Sequence, residues 1–458
     1  MKKFLSLSFV LLIICTKQYA QSAKQCFQPG DKVCFIGNSI TQMGHYHYFV
    51  NLYYMLHYPE MQLETYNCGI SGNMGFNVLK RIQRDILVHK PTVATLMLGM
   101  NDVNRELYEK VTTDTAILNA RDRSIELYRK NVDSIAQQLT KNHCRLIFLT
   151  PSIYDQESKI EATNNYGVND ALGICAKFLK TLAPKYNAQV VDFNGEMNKI
   201  NHLGLAMDQN FALAGNDRIH PDIWGHFIMA SIFLKTLEMP SFVSKIEIDF
   251  ASQKVTSSQN CEISGLKSEK SQLTFQCLEK SLPFPISDDI EKAIPYTSFQ
   301  NDFNQEILKI TNLKPGNYQL LIDNDTMAKT TAKELGLGLN LATITNTPQY
   351  KQAEKVMKLS KKYHEINSRL RELAMFDYND LSGMKNPGDM AQAKILLDKT
   401  VEYCKDKPWY SYIKIKADEY IELKPKEAET RATANGLYQQ AYAANKPQKH
   451  IYTIKLIN

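Results

Sequence analysis

The chain has 458 residues, of which 44% are hydrophobic and 22% are charged. This composition is typical of a folded globular protein and excludes a disordered or fibrous one. The length exceeds what a single hydrophobic core usually supports, so two or three domains are expected. The formal charge is +6, but three of the lysines lie in the first twenty residues, and the remaining +3 is too small to predict nucleic-acid binding.

The amino terminus has the pattern of a secretory signal. A positively charged start precedes an apolar run from Phe4 to Cys15, and Ala20 offers a small residue for cleavage. The run is too short to span a bilayer. We therefore expect a signal peptide over residues 1–20 and export to the periplasm or the extracellular space. Lipid attachment at Cys15 is less favoured because the bulky Ile14 stands where a small residue is expected.

Short apolar strands alternate with amphipathic helices over residues 24–240. This alternation predicts a mainly parallel five-stranded sheet with helices on both faces, and Pro221 suits the first turn of a last helix. Ligands of such sheets bind beyond the carboxyl ends of the strands. The predicted strands are residues 32–36, 62–68, 93–98, 145–149 and 189–193.

The second half of the chain has a different character. Residues 241–345 contain β-like segments, and the stretch Lys314-Pro315-Gly316-Asn317 predicts a hairpin turn. A small β-rich domain is therefore expected, followed by a helical region over residues 346–445. Residues 446–458 alternate again and are expected to return as a strand to the β domain.

Nine cysteines occur, and their spacing forms neither a disulfide framework nor a zinc site. Three of them, Cys34, Cys144 and Cys175, lie in apolar runs that favour buried thiols. Cys261 and Cys277 could pair in the β-rich region, and the sequence does not decide whether they do.

Four short segments at predicted strand ends or in the last loop carry residues suited to catalysis. Ser39 follows the first strand, where a serine would present its hydroxyl above the sheet or, alternatively, cap the next helix together with Gln42. Gly72 follows the second strand in a loop where backbone N–H groups can approach a ligand. Asn101 follows the third strand and could donate its amide to a developing oxyanion.

The fourth segment is Asp217-Arg218-Ile219-His220-Pro221, before the last predicted helix. A histidine acts as a base only when an acceptor holds its other ring nitrogen, and an aspartate three residues earlier can turn back to do so. His45 and His47 lie near the serine but lack such an aspartate. His226 is expected to pack along the last helix.

Together, and in this order, the four segments resemble the SGNH (GDSL-type) hydrolase family, over residues 32–237. The resemblance implies a three-layer α/β/α sandwich of flavodoxin-like topology and no metal or organic cofactor. It also implies that Ser39 is the nucleophile, His220 the base and Asp217 the residue that orients it. The Ser39 and Gly72 N–H groups and the Asn101 amide would form the oxyanion hole. Asn38 departs from the family pattern, which has aspartate there.

The substrate is less clearly indicated than the reaction. A β-rich domain on an exported enzyme resembles bacterial carbohydrate esterases, so an O-acetyl ester on a small molecule or polysaccharide is the leading prediction. Tyr154, Tyr166 and Trp224 could stack on sugar rings, although such residues more often belong to a core. A lipid esterase or thioesterase, and a non-catalytic glycan-binding or envelope-structural protein, are the alternatives. The sequence does not indicate the oligomeric state.

Overall fold

The computed structural model describes residues 27–269, 271–407 and 409–457. The expected signal peptide and Cys15 lie outside the described residues. The first unit is a five-stranded parallel sheet in the order β2-β1-β3-β4-β5. Its strands are β1 (Lys32–Gly37), β2 (Glu64–Gly69), β3 (Val93–Met97), β4 (Arg145–Leu149) and β5 (Gln189–Val191).

Helices cover both faces of this sheet, because the side chains of each central strand alternate between two apolar cores. Phe35 points into the core that contains α2 and α7, whereas Ile36 points into the core that contains α3, α4 and α5. The helices are α1 (Ser39–Met43), α2 (His45–His57), α3 (Gly75–Arg81), α4 (Thr115–Lys141), α5 (Val168–Leu182), α6 (Phe193–Met207) and α7 (Ile223–Thr236). The predicted fold class is therefore confirmed, although the last helix begins at Ile223 rather than at Pro221.

The β-rich region is a sandwich of two sheets that share one apolar core. One sheet has the order β13-β10-β6-β7 and the other the order β12-β11-β14-β9-β8. The strands are β6 (Phe242–Asp249), β7 (Lys254–Gln259), β8 (Cys261–Glu269), β9 (Gln272–Glu279), β10 (Gln305–Thr311), β11 (Asn317–Ile322), β12 (Asp325–Thr331), β13 (Leu339–Asn340) and β14 (Lys449–Ile457), with short helices α8 (Asp288–Glu291), α9 (Phe299–Phe303) and α10 (Ala332–Leu337) between them.

The turn at residues 314–317 is not the hairpin that the sequence predicts. It joins β10 to β11, which belong to different sheets of the sandwich. The last strand, β14, lies between β9 and β11 in the middle of its sheet. The cysteines of the described part are all buried free thiols, including Cys261 and Cys277, whose side chains are in contact.

Four helices separate β13 from β14 in the chain: α11 (Pro348–Tyr378), α12 (Met390–Tyr403), α13 (Tyr410–Leu423) and α14 (Glu427–Ala444). We call residues 348–444 the helical region. Its long helix α11 lies against α2, α1 and β2 of the first unit. The helical region therefore contacts the open edge of the parallel sheet, next to the loop that follows β2.

Candidate active site

The end of β1 places Ser39 at the first residue of α1. Asn38 is the N-cap of this helix, and its side-chain oxygen accepts a hydrogen bond from the Ile40 N–H at 3.2 Å. The sequence allowed Ser39 to be the capping residue, but the cap is one residue earlier. The Ser39 hydroxyl is therefore not committed to capping, and Asn38 braces the turn without needing a charge.

Ser39, His220 and Asp217 form one hydrogen-bonded line. The Ser39 Oγ lies 2.7 Å from His220 Nε2, and His220 Nδ1 lies 2.5 Å from Asp217 Oδ2. Because a carboxylate only accepts, Nδ1 carries the proton in the neutral ring and Nε2 accepts from the serine hydroxyl. The His220 side chain is one-third exposed, so a substrate can reach the line from solvent.

Backbone hydrogen bonds fix the Asp217 carboxylate. Its Oδ1 accepts from the N–H groups of Ile219 at 2.9 Å and His220 at 2.8 Å. Burial alone would raise the pKa of Asp217, but the hydrogen bonds from the His220 ring and from these N–H groups outweigh it and lower the pKa. The carboxylate therefore stays charged at neutral pH, as an orienting partner for the imidazole requires.

Gly215 and Arg218 fix the conformation of the loop that carries His220. Gly215 has φ +75°, and a Cβ there would lie 1.9 Å from the His220 carbonyl oxygen, so only glycine fits. The buried Arg218 has φ +69°. Its guanidinium donates to the carbonyls of Asp155 and Ser158 at 2.9 and 2.8 Å. The loop that carries the histidine and the loop after β4 are thus joined.

The structure shows the local conformation and contacts of the three N–H donors that the sequence predicts for the oxyanion hole. As the first residue of α1, Ser39 has an amide without an intrahelical acceptor. Gly72 is exposed at φ +73°, a left-handed conformation that favours glycine even though a Cβ would meet nothing within 4 Å. Asn101 Nδ2 donates one hydrogen to Asn73 O at 3.0 Å, and Arg105 Nη1 donates to Asn101 Oδ1 at 2.9 Å. This pairing fixes the amide orientation and leaves the second Nδ2 hydrogen free.

Sequence reasoning missed several residues that hold these donors. Gln42 Oε1 accepts from the Ser71 N–H at 2.7 Å, and Asp102 accepts from the N–H groups of Gly75 and Gly99 at 2.7 and 3.0 Å. Burial raises the pKa of Asp102 to about 6, although its backbone hydrogen bonds oppose the shift. The position of Asp102 next to Asn101 was the only signal available for it. Arg105 carried none that distinguishes it from surface residues, and the signal at Gln42 predicted a capping role rather than its contact with Ser71.

Two of the three predicted sugar-stacking residues are unavailable to a ligand. Tyr154 is 2% exposed, and its hydroxyl bonds to Thr163 O at 3.2 Å and Asn165 N at 2.8 Å, so it braces its own loop. Trp224 is 6% exposed, with Lys292 over its ring. Tyr166, at 61% exposure, is the one that remains open to solvent.

Four other histidines form a separate cluster of rings. The rings of His45 and His226 are 5.3 Å apart and those of His45 and His364 are 5.1 Å apart, with His47 beside them. His226 is fully buried, as expected for a packing residue. The described residues contain no group of three or more His, Cys, Asp or Glu side chains arranged to hold a metal ion.

Comparison with known proteins identifies the first unit. Residues 35–227 match the model of the GDSL-like lipase/acylhydrolase family. An acetylxylan esterase from Geobacillus stearothermophilus is 26% identical over 227 residues, which are 45% of this chain and 94% of that protein. The structure of a gut microbial diltiazem-metabolizing enzyme is 28% identical, with a TM-score of 0.84 over 95% of this chain and 100% of the other.

This last likeness extends through the sandwich and the helical region, so the whole architecture is shared with that enzyme. Among the described residues, no helix is long and apolar enough to cross a membrane. The family match and the site geometry agree on one reaction class. Over residues 35–227 the chain is similar to the GDSL-like lipase/acylhydrolase family, to which the SGNH-type esterases belong, and it is a hydrolase of carboxylic O-acyl esters.

Proposed function

We propose that Ser39 is the nucleophile of this hydrolase, that His220 is its general base and that Asp217 orients the imidazole. The observation that carries this proposal is the 2.7 Å contact between the Ser39 Oγ and His220 Nε2. In this arrangement Ser39 attacks the ester carbonyl while His220 takes the hydroxyl proton. The oxyanion is stabilised by the N–H groups of Ser39 and Gly72 and by the Asn101 amide.

The second half of the reaction reverses these roles. Protonated His220 gives its proton to the leaving alcohol, the bond between the carbonyl carbon and that alcohol breaks, and the acyl group remains on Ser39. His220 then takes a proton from water, which attacks the acyl-serine. It returns that proton to the Ser39 Oγ as the bond between the carbonyl carbon and Oγ breaks, which releases the carboxylic acid and regenerates the free serine. No step of this sequence requires a cofactor.

We further propose that the acyl group is acetyl and that the alcohol belongs to a carbohydrate. The acetylxylan esterase relative, which this chain matches over nearly its full length, supports this substrate class. The residues that the sequence assigns to the site are also joined by polar contacts, from Arg105 to Asn101 and from His220 to Asp217. A polar rim suits a hydroxylated alcohol better than a lipid.

An acyl-chain series on purified protein tests both parts of this proposal. We expect p-nitrophenyl acetate to be hydrolysed faster than the butyrate and octanoate esters, and acetate to be released from acetylated polysaccharides. Ser39→Ala should abolish turnover. Ser134→Ala is the matched control, because Ser134 is a half-buried serine on α4 whose hydroxyl bonds to the Lys130 carbonyl of its own helix. Rates that rise with chain length would favour a lipid esterase, and binding of glycans without turnover would favour a non-catalytic protein.

A second candidate substrate class comes from the likeness to the diltiazem-metabolizing enzyme, which covers nearly the whole of this chain. Small drug-like molecules therefore belong in the same assay. Diltiazem consumption by the wild type, absent in Ser39→Ala, would place such molecules within the range of this site. Polysaccharide deacetylation at a much higher rate would make that activity secondary.

We also propose that the protein is exported after removal of residues 1–20. The charged start, the apolar run and Ala20 support this location. Amino-terminal sequencing of the mature protein after fractionation should find a new terminus at residue 21. Acylation of Cys15 would instead give a membrane-associated protein that begins at that cysteine.

A further inference from the structure

The helical region contacts the loop before Gly72 at three successive residues. Arg371, on α11, donates from Nε to the Gly69 carbonyl at 2.7 Å. The Ile70 side chain is fully buried in the apolar cluster of the helical region. Tyr412, on α13, lies near Ser71. The residues that lead into Gly72 are thus held from outside the parallel-sheet unit.

Arg371 makes the strongest of these contacts. Its Nη1 and Nη2 donate to the two oxygens of Asp85 at 2.7 and 2.8 Å, while its Nε binds Gly69. Arg81 approaches the same Asp85 from the other side. It also donates to Cys68 O and to Asn73 Oδ1, both at 2.9 Å.

Asp85 therefore pairs with two guanidinium groups. Together these groups donate hydrogen bonds to backbone carbonyls before Gly72 and to the Asn73 side chain after it. The three side chains are at most 10% exposed. Burial alone would raise the pKa of Asp85, but the two guanidinium groups hold it at about 2, so this carboxylate is charged at neutral pH. Buried, bidentate pairs of this kind fix geometry more tightly than exposed ones.

The position of the Gly72 N–H matters because an oxyanion donor works only when it is already in place before the reaction. We propose that Arg371 is a positioning residue of the active site, which holds the loop so that the Gly72 N–H faces the oxyanion. The inference rests on the proposed function of Gly72. It makes the helical region a working part of the hydrolase, which acts through the contacts of Arg371 with Gly69 and Asp85.

The test compares Arg371→Ala, Arg371→Lys and a matched control, Lys424→Met, in the full mature chain. Lys424 also joins elements of the helical region, through Asp377 at 2.7 Å, but the structure shows it bonded to no part of the loop. For Arg371→Ala we expect kcat on p-nitrophenyl acetate to fall by about 10- to 100-fold with KM nearly unchanged, since a misplaced donor weakens the transition state rather than substrate binding.

Two further readouts separate positioning from general destabilisation. Millimolar guanidinium should restore part of the kcat of Arg371→Ala and none of any loss in Lys424→Met. Arg371→Lys should give an intermediate kcat, because one ammonium cannot span Asp85 and Gly69 together. Thermal unfolding of all variants gives the loss of stability against which kcat is compared.

The measurements distinguish a failure of the positioning role of Arg371 from a failure of the proposed function. A wild type without ester hydrolysis, or Ser39→Ala with full activity, overturns the proposed function itself. An active wild type with kcat of Arg371→Ala equal to that of Lys424→Met, or with no rescue by guanidinium, overturns the positioning role alone. Should Arg371→Ala fail to fold, Arg371→Lys decides: a wild-type kcat there also overturns the inference.

Discussion

Replacement of Asn101 by alanine is the sharpest test of the oxyanion hole. In the wild type, Arg105 holds the amide oxygen and one Nδ2 hydrogen is bonded to Asn73 O. The other hydrogen is the proposed donor to the oxyanion. Asn101→Ala removes that donor and leaves Ser39 and its hydrogen bond to His220 in place. We therefore expect a loss of rate without a loss of the nucleophile.

The size of the loss follows from the contacts that disappear. Deleting one oxyanion donor typically costs about 2.7–4 kcal/mol in the transition state, or roughly 10²- to 10³-fold in kcat. The two hydrogen bonds to Arg105 and Asn73 are ground-state contacts, worth about 1 kcal/mol each in folding stability. The variant should thus unfold a few degrees lower and still be folded in the assay.

The assay is steady-state hydrolysis of p-nitrophenyl acetate, with kcat and KM measured separately. Asn101→Asp serves as the matched variant, because its carboxylate keeps the contact with Arg105 but offers no donor and repels the oxyanion. We expect its kcat to be lower than that of Asn101→Ala and its stability to be closer to the wild type. A kcat of Asn101→Ala within threefold of the wild type would refute the donor role.

The remaining predictions concern the base, two glycines and pH. Asp217→Asn should lower kcat by about 10⁴-fold, because an amide favours the wrong histidine tautomer; a loss below tenfold contradicts the orienting role. Gly215→Ala should destabilise the fold by about 3 kcal/mol, since its Cβ would lie 1.9 Å from a backbone oxygen. Gly72→Ala, with open space around it, should cost only about 1–2 kcal/mol, and denaturant unfolding compares the two. Burial lowers the pKa of His47 to about 3 and of His57 to about 4, so the unfolded chain takes up protons below about pH 6.5 while the folded chain does not. The free energy of unfolding should therefore be highest above about pH 6.5 and fall steadily towards pH 4. A Tm that stays constant from pH 6.5 to pH 4 would contradict this prediction.

Much of the parallel-sheet unit could be predicted from local patterns. Residues 145–149 form β4 as expected, and the other four strands differ from their predicted bounds by one or two residues. The loops with candidate site residues could be located because each apolar run ends where the strand leaves the core. Ser39, Asn101 and His220 were found in this way, since their signals lie within a few residues of a strand or helix end.

Features that depend on distant parts of the chain were less predictable. Tyr154 and Trp224 looked available for a ligand because local sequence gives no sign of their burial. Tyr154 is enclosed within its own loop, and Trp224 packs against Phe211 and Tyr296. The turn at residues 314–317 has hairpin composition, but β10 pairs with β6 and β13 rather than with β11, the strand that follows the turn. Turn residues specify a reversal of the chain and not which strand pairs with which.

By itself, the sequence determined the order of strands and helices in the parallel-sheet unit, and it predicted the sheet edge and the residues for the chemistry. These are encoded in hydrophobic periodicity and in short segments, which act over a few residues. Only the tertiary structure decided that the helical region lies against the loop of Gly72. The contact of Arg371 with Gly69 joins residues 302 positions apart, and such a contact forms because folding buries both groups together rather than because either has a local preference.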